Sequence, residues 1–299
     1  FDLTTLNAAM SPTAYSLSLI KSAHAANSVP NTPIPYNDLK KVNAQAQINI
    51  GELVIDKGMQ AHDVLIKADL INGILNVKPL QFKFGGGEID AAAAVNANTQ
   101  SVNLMISSKN MLLQNLHKEF LVTGKNDFGI LSGGNVDLTV NVLGSGSTYR
   151  QLVNNLRGQA AAVVNKSEVQ TGGLSFLTGN FISEIFNVLN LNTTKMTKLD
   201  LNCAVVRADF ANGKAVFPKG IVVSSEHLGI VSDGSVNLET EKLDFTIRPF
   251  AGKLTDTNIA QALTSFFKVV GTVQKPKIAL DSKETLGAVI GIAATGGTA

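Results

Sequence analysis

Apolar and polar residues alternate strictly along much of the chain. Every second position from 42 to 50 is apolar, and the apolar residues are Val42, Ala44, Ala46, Ile48 and Ile50. The residues between them are all polar amides: Asn43, Gln45, Gln47 and Asn49. A period of two over nine residues predicts a β-strand with one buried and one exposed face. The same alternation recurs in segments 64–70, 80–84, 102–106, 136–142 and 243–247. The pattern therefore predicts a mainly β protein.

Turn sequences separate the predicted strands. Asn72-Gly73 and Asn212-Gly213 favour tight hairpins, because a type I′ turn requires positive φ at both of its central residues. Asp233-Gly234 is open to two interpretations, a turn or a bulge within a longer strand. The glycine run at 85–87 is followed by a predicted strand instead of a helix, which favours a bend or bulge over a phosphate-binding loop.

One strand–turn–strand sequence occurs twice. Residues 68–73 (ADLING) resemble residues 208–213 (ADFANG), and each copy is followed by an apolar stretch and a proline, Pro79 or Pro218. Such self-similarity predicts one supersecondary unit that is used twice along a sheet.

The expected domain organisation follows from this repeat. Residues 1–37 are rich in Ser, Asn, Thr, Ala and Pro, which predicts a flexible lead-in. Residues 38–299 are expected to form one β-rich domain, with its two repeats at about 42–145 and 158–281. Because the first residue is Phe1 and not Met, we expect the chain to be a processed or excised piece.

A few segments have helical periodicity. Segments 148–156, 175–189 and 258–270 place apolar residues three and four positions apart, and Thr257 is a candidate N-cap for the last of them. Segment 273–280 predicts one more strand. Its proline favours an edge position, because proline cannot donate a hydrogen bond to a neighbouring strand.

The composition argues against several classes of function. Charged residues make up 16% of the chain, the net charge is +2, and Lys and Arg form no basic stripe, so we expect no nucleic-acid binding. The single cysteine, Cys203, excludes an intramolecular disulfide and is interpreted as a small buried apolar residue. The longest apolar run, residues 286–294, is too short for a membrane-spanning helix.

The sequence contains no recognisable arrangement of catalytic or metal-binding residues. The four histidines, His24, His62, His117 and His227, form no close pair with one another or with cysteine. Segment 224–227 (SSEH) is best interpreted as an exposed hairpin corner, because neighbours on a strand face opposite sides and no nucleophile-elbow sequence is present. We therefore expect no enzyme activity, no metal and no cofactor.

Several motifs, taken in order, resemble those of the AsmA family. They lie in segments 34–36, 85–90, 152–161, 201–213, 229–238 and 267–281. The resemblance covers about residues 34–295, and it is to the AsmA-like C-terminal region and to the TamB-like and larger AsmA-like proteins, which look like bridge-type lipid transfer proteins. Each motif alone carries little information, and it is their order that makes the resemblance specific.

The resemblance implies a cell-envelope biogenesis protein that faces the periplasm and is held at the inner membrane by an N-terminal anchor outside this chain. It implies an elongated, curved, groove-like antiparallel sheet with a few short helices, which carries phospholipid or another acyl lipid between the inner and outer membranes. The partners expected are this lipid, the inner membrane and other envelope proteins. The alternative is a scaffold, without transport, that assists or regulates outer-membrane protein assembly.

The alternation supports this expectation but does not establish it. An antiparallel sheet with one apolar face needs a cover, and the predicted helices are too few to supply it. A closed β-sandwich would show the same alternation and bury its apolar face on itself. If the sheet is a groove, its floor should include the following residues: Ile48, Ile50, Ile66, Phe82, Phe84, Leu104, Ile106, Leu138, Val140, Ile230, Val236, Leu238, Phe245 and Ile247.

Overall fold

The structure is a computed structural model, and its elements are almost all β-strands. It describes residues 29–56, 59–112, 130–170, 198–226, 228–251, 266–273 and 275–281. Within these ranges the helices are α1 (Tyr36–Leu39) and α2 (Tyr149–Asn154). The predicted mainly β, antiparallel fold with a few short helices is confirmed.

The strands follow one another with short connections. Their bounds are β1 (Ala44–Asp56), β2 (Met59–Ile71), β3 (Ile74–Phe84), β4 (Gly87–Asn96), β5 (Ser101–Leu112), β6 (Ile130–Gly133), β7 (Asn135–Ser145), β8 (Arg157–Val164), β9 (Ser167–Gln170), β10 (Lys198–Ala211), β11 (Lys214–Ser225), β12 (Leu228–Asn237), β13 (Lys242–Ala251), β14 (Phe266–Thr272) and β15 (Lys275–Asp281).

The chain forms two compact units. The first unit contains Phe1–Val122, Val136–Ala161 and Phe210–Gly213, and the second contains Thr123–Asn135, Ala162–Asp209 and Lys214–Ala299. In the first unit the strands lie side by side in the order β1-β2-β3-β4-β5-β7-β8. In the second unit the order is β10-β11-β12-β13-β14-β15, and β9 pairs with both β10 and β6.

Tight turns join the strands where the sequence predicts them. Asn72 and Gly73 have φ of 51° and 76°, and Asn212 and Gly213 have φ of 52° and 71°, so both pairs adopt the positive φ values that a type I′ hairpin requires. The predicted bend in the glycine run at 85–87 is a hairpin turn between β3 and β4. Asp233-Gly234 forms neither a turn nor a bulge against β13, because its register with β13 is regular through the middle of β12.

A proline bulge follows each of the two repeated turns. The register of β3 shifts between Val77 and Leu80, around Pro79, relative to β4. The register of β11 shifts between Phe217 and Ile221, around Pro218, relative to β12. Extra residues in one strand leave the proline outside the regular ladder, where its missing N–H costs nothing. The repeated sequence therefore has repeated local structure, while the boundaries proposed for the two repeats stay a prediction.

The helix predictions have mixed outcomes. The helix predicted at 148–156 is confirmed as α2, and the Thr148 side chain caps it by accepting a hydrogen bond from the Gln151 backbone N–H at 3.2 Å. The segment 175–189 lies outside the described residues. The helix predicted at 258–270 is wrong for its last residues, because 266–270 belong to β14, which pairs with β13 on one side and β15 on the other.

The structure also bears on the predictions for the two ends of the chain. The strand predicted at 273–280 is confirmed as β15, which ends the order of strands in the second unit. Most of the predicted flexible lead-in lies outside the described residues. Within its described part, Pro33 forms a β-bridge with Thr148, the Ile34 N–H donates to the Ser147 carbonyl at 2.9 Å, and Tyr36 is buried.

Candidate functional site

One side of the sheet in the first unit is apolar across five strands. Ile48, Ile66, Leu80, Ala91 and Ile106 lie directly opposite one another in a row from β1 to β5. Residues that are directly opposite in antiparallel strands share a face of the sheet and interact with each other. This row therefore crosses β1 to β5 without a polar side chain.

Further rows widen this surface, which we call the first apolar face. Its register-paired members are Ala44, Leu70, Leu75, Val95 and Val102; Ala46, Ala68, Val77, Ala93 and Leu104; Ile50 and Val64; Phe82, Ile89 and Ser108; and Leu53, Ala61, Phe84 and Gly87, in addition to the row above. None of these residues is charged, and Ser108 is the only polar one among them.

The opposite side of the same strands carries their charged side chains, together with some exposed apolar ones such as Met105. The Gln81 side-chain amide donates to Asp90 at 2.7 Å, between neighbouring strands. Lys83 forms an ion pair with Asp63 at 2.8 Å, and both side chains are exposed. The hydrogen bond and the charge of Lys83 lower the pKa of Asp63, and those of Asp63 raise the pKa of Lys83. The sheet of the first unit is therefore amphipathic, with its charges on the side opposite to the first apolar face.

The bulge at Pro79 keeps the first apolar face continuous. Leu75 and Val77 lie at odd positions of β3, whereas Leu80 and Phe82 lie at even positions. Strict alternation would place these two pairs on opposite faces. The register shift between Val77 and Leu80 inserts one extra residue relative to β4, so both pairs lie on the same face.

The structure places most of the predicted floor residues of the first unit together. Ile48, Ile50, Ile66, Phe82, Phe84, Leu104 and Ile106 all lie on the first apolar face. Leu138 and Val140 are half-buried in β7, the neighbour of β5, and alternate with the exposed Thr139 and Asn141. Contact of these residues with lipid stays a prediction.

The second unit has an apolar face of its own, which we call the second apolar face. Phe217, Gly234, Phe245 and Val269 form one row across β11 to β14, and Ile221, Ser232, Ile247 and Phe267 form the next. Two of these residues are almost completely buried, because Phe267 is 0% exposed and Ser232 is 2% exposed.

An aromatic pair covers a glycine on the second apolar face. The ring centroids of Phe217 and Phe245 are 5.2 Å apart, and the two planes are tilted by 51°. A Cβ atom added at Gly234 would lie 2.2 Å from Cδ1 of Phe245, so the ring occupies the space that any other side chain would need. This role of Gly234 is not predicted above from the sequence, although a glycine inside an alternating strand is a signal for close packing.

Four of the five floor residues predicted in the second unit share this face. Ile230, Val236, Phe245 and Ile247 pair with Pro249, Leu243, Gly234 and Ser232, in that order. Leu238 lies in the turn after β12, which ends at Asn237, and is therefore not part of a strand. The Asn237 side chain shapes that turn by accepting hydrogen bonds from the backbone N–H groups of the next residues, Glu239 and Thr240.

A charged pair lies on the other side of the second unit's sheet. Asp233 accepts a hydrogen bond from the Arg248 guanidinium and another from the Lys219 backbone N–H, the latter at 2.9 Å. Burial alone would raise the pKa of Asp233, but these two hydrogen bonds and the nearby positive charges together lower it. Asp233, in β12, thereby links the proline bulge of β11, through Lys219, to Arg248 of β13.

The described residues offer little for catalysis or metal binding. They contain no group of three or more His, Cys, Asp or Glu side chains that could hold a metal ion. His62 is exposed opposite Glu52 and Lys83, and the other three histidines lie outside the described residues. Cys203 is half-buried in β10, so the prediction that it is a buried residue is wrong in degree. No helix in the described part is long and apolar enough to span a membrane.

Comparison with known proteins assigns the family. The sequence matches the AsmA family over residues 4–219, which is more than half of the chain. The chain belongs to the AsmA family. Of the motifs that suggested the resemblance, those at 229–238 and 267–281 lie beyond the matched residues. No curated protein and no solved structure gives a significant match.

Membership of the AsmA family gives this chain a broad functional assignment. AsmA proteins form a non-enzymatic, envelope-associated family, so the chain is a protein of the type that acts in cell-envelope biogenesis.

Proposed function

We propose that this AsmA-family chain carries acyl lipid, most simply phospholipid, on the first apolar face, and that it does so in the periplasm between the inner and outer membranes. The observation that supports the proposal is the unbroken row from Ile48 to Ile106, which crosses five paired strands without a charge. The charged residues whose pairing is described above lie on the opposite side, so the two sides of the sheet suit different surroundings.

The dimensions and energetics of this face suit an acyl chain. Neighbouring strands are about 4.8 Å apart, so the face measures roughly 19 Å across β1 to β5. Covering apolar surface stabilises a complex by about 0.8 kcal/mol for each buried CH₂ group. An acyl chain lying on the face would therefore gain several kcal/mol without any specific polar contact.

The absence of charge on the first apolar face bears on which part of a lipid the protein would recognise. A lipid headgroup is polar or charged and would lose hydration if it lay on this face. The headgroup is therefore expected to stay in water at the rim of the sheet, while the chains lie on the face. On this proposal, the protein distinguishes lipids by their chains more than by their headgroups.

Two neighbouring residues of β5 allow a matched experiment. Leu104 lies on the first apolar face opposite Ala93, and Asn103 lies on the other side of the sheet opposite Ala94. Leu104→Asp places a charge where the acyl chain would lie, and Asn103→Asp places the same charge on the polar side. We expect Leu104→Asp to reduce co-purifying phospholipid at least tenfold and Asn103→Asp to leave it unchanged, as measured by mass spectrometry of extracted lipid per mole of folded protein.

The outcomes of this experiment separate lipid carriage from its alternatives. Equal lipid content in the two variants, or no lipid and no uptake of a fluorescent phospholipid in the unsubstituted protein, would refute the proposal. Circular dichroism of both variants shows whether the sheet is intact, so that a loss of lipid is not mistaken for unfolding.

The alternative function is scaffolding of outer-membrane protein assembly. It is favoured by the long strand β1, which ends the order of the described strands, since exposed strand edges recruit other strands. A photo-crosslinking residue placed at Phe82 or at Gln47 distinguishes the two functions in intact envelopes. Lipid adducts at Phe82 support carriage, whereas adducts to an outer-membrane protein at Gln47, without lipid adducts at Phe82, support scaffolding.

A further inference from the structure

The two edge strands of the described sheet differ in how they are protected. β15 has seven residues and begins with Lys275-Pro276-Lys277, which combines a missing N–H donor with two positive charges. Charges and proline on an edge strand prevent pairing with other chains. β1 has thirteen residues, and its first seven, 44–50, contain no charge and no proline. Within the described part of the chain, β1 pairs with β2 alone, and its other edge has no strand beside it.

Large apolar residues are exposed at this edge and just before it. Ile48 is 45% exposed and Val42 is 56% exposed, although both are large apolar residues. Ile48 already has Ile66 opposite it on β2, so its remaining exposed area faces the free edge and the water above the sheet. A further strand beside β1 would cover part of this area and would satisfy backbone groups that the edge leaves unpaired.

The sequence of this edge is complementary to itself. If two copies of β1 pair antiparallel about Gln47, Ala46 of one copy lies opposite Ile48 of the other, and Ala44 lies opposite Ile50. On the other face, Gln45 lies opposite Asn49, and the two Gln47 side chains lie opposite each other. Apolar residues meet apolar residues and amides meet amides, and no like charges face each other over residues 44–50.

We propose that β1 is a dimer interface, at which two copies of this chain pair antiparallel through residues 44–50 about a two-fold axis at Gln47. A two-fold interface requires a patch that complements itself, which this segment provides. The pairing joins the first apolar faces of the two copies into one surface, because Ala44, Ala46, Ile48 and Ile50 belong to that face. The inference rests on the edge and its sequence and does not depend on lipid carriage.

Charge substitutions at Gln47 test the proposal. Gln47 lies opposite Lys67 on β2, so Gln47→Glu is compatible with the fold of the single chain. In the dimer, however, the two glutamates would lie opposite each other. We expect the unsubstituted 299-residue chain to dimerise reversibly in sedimentation equilibrium, and Gln47→Glu to weaken the dimer at least tenfold. Asn103→Glu, on the same side of the interior strand β5, is the control and should not change it.

A mixing experiment separates repulsion from damage to the strand. Gln47→Lys is combined with Lys67→Gln, so that a lysine and a glutamine still lie opposite each other between β1 and β2. This variant alone should also fail to dimerise, because two lysines then lie opposite each other across the interface. An equimolar mixture with Gln47→Glu should form a heterodimer, since each lysine then lies opposite a glutamate. A monomeric unsubstituted chain at every concentration, a Gln47→Glu variant that dimerises as well as the unsubstituted chain, or a mixture that stays monomeric would overturn the proposal.

Cysteine substitutions test the register of the pairing. In a Cys203→Ala background, Gln47→Cys should form a disulfide-linked dimer under mild oxidation, because the two copies of residue 47 are directly opposite. Gln45→Cys alone should not, since residue 45 lies opposite residue 49 of the second copy. Crosslinking that is equal at both positions would contradict the register, and crosslinking at neither would contradict the interface.

Discussion

The first and second apolar faces use the same alternation but differ in where the protein covers them. On the first face, paired residues such as Ile66 and Ile106 are half-buried, and Ile48 is 45% exposed. On the second face, Phe267 and Ser232 are at most 2% exposed. The first face is therefore open along this row but closed at Ala61 and Val64, which are at most 3% exposed. The second face is closed around Phe267 and Ser232 but only half-buried at Phe245. Alternation in a sequence shows that a face is apolar, but only the packing of the folded chain shows which parts of that face are already covered.

The largest effect is expected from charging the two faces in turn. Phe82→Asp should remove at least nine-tenths of the co-purifying lipid, because the charge lies on the first apolar face, where we propose that the acyl chains bind. Phe245→Asp should leave at least half of the lipid, because the ring of Phe245 packs against Phe217 and over Gly234. Lipid per mole of protein is measured by mass spectrometry. An equal loss in both variants would show that the two faces do not differ in this respect.

A smaller effect on stability should distinguish two strand glycines. Gly234→Ala forces its new Cβ against the Phe245 ring, and overpacking of this kind costs about 1–3 kcal/mol. Gly51→Ala in β1 is the control, because nothing lies within 4 Å of the new Cβ, and its free energy of unfolding should change by no more than about 0.5 kcal/mol. Urea unfolding monitored by circular dichroism gives both values. A Gly234→Ala variant as stable as Gly51→Ala would show that the ring moves aside freely.

The smallest effect concerns the charged pairs on the polar sides. The pKa of Asp233 is lowered from its ordinary value of 3.8, so its contribution to stability is complete well above pH 3.8 and is lost as the pH falls through the folded-state pKa. Asp233→Asn should therefore reduce the loss of stability between pH 5 and pH 3. Asp63→Asn should have less effect, because Asp63 and Lys83 are both exposed and their interaction is screened by solvent.

The measurement for this last comparison is urea unfolding at a series of pH values for each variant and the unsubstituted chain. If Asp63→Asn changes the slope of stability with pH as much as Asp233→Asn does, the extra burial and the Lys219 N–H bond of Asp233 add nothing.

Local signals predicted the strands and turns well. The alternation from Ala44 to Ile50 and the Asn-Gly turns at 72–73 and 212–213 appear in the structure as the sequence indicated, because strand periodicity and positive φ are properties of short segments. The assignment of seven floor residues to one face of the first unit also followed from alternation. The assignment holds across Pro79 because segment 80–84 has an alternation of its own, which does not depend on the phase of the residues before the proline.

Contacts between strands determine the features that local sequence patterns do not predict. The helix predicted through residue 270 ends in a strand instead, because the run at 266–270 fits either periodicity and its pairing with β13 and β15 settles the conformation. Leu238 continues the alternation of β12 but lies past its end, where Asn237 turns the chain. The packing of Phe245 over Gly234 depends on a pairing between two strands, which alternation in either strand alone does not contain.

The order of the strands has a consequence for how such a protein changes length. From β1 to β5 and from β10 to β15, each strand lies beside the next one in the sequence, so adding or deleting one hairpin leaves every other pairing in place. Each hairpin gained or lost alters the width of its sheet by roughly 10 Å, at two strand spacings of about 4.8 Å. Duplication of the gene segment for one hairpin therefore widens a sheet by two strands while every existing strand pairing is kept.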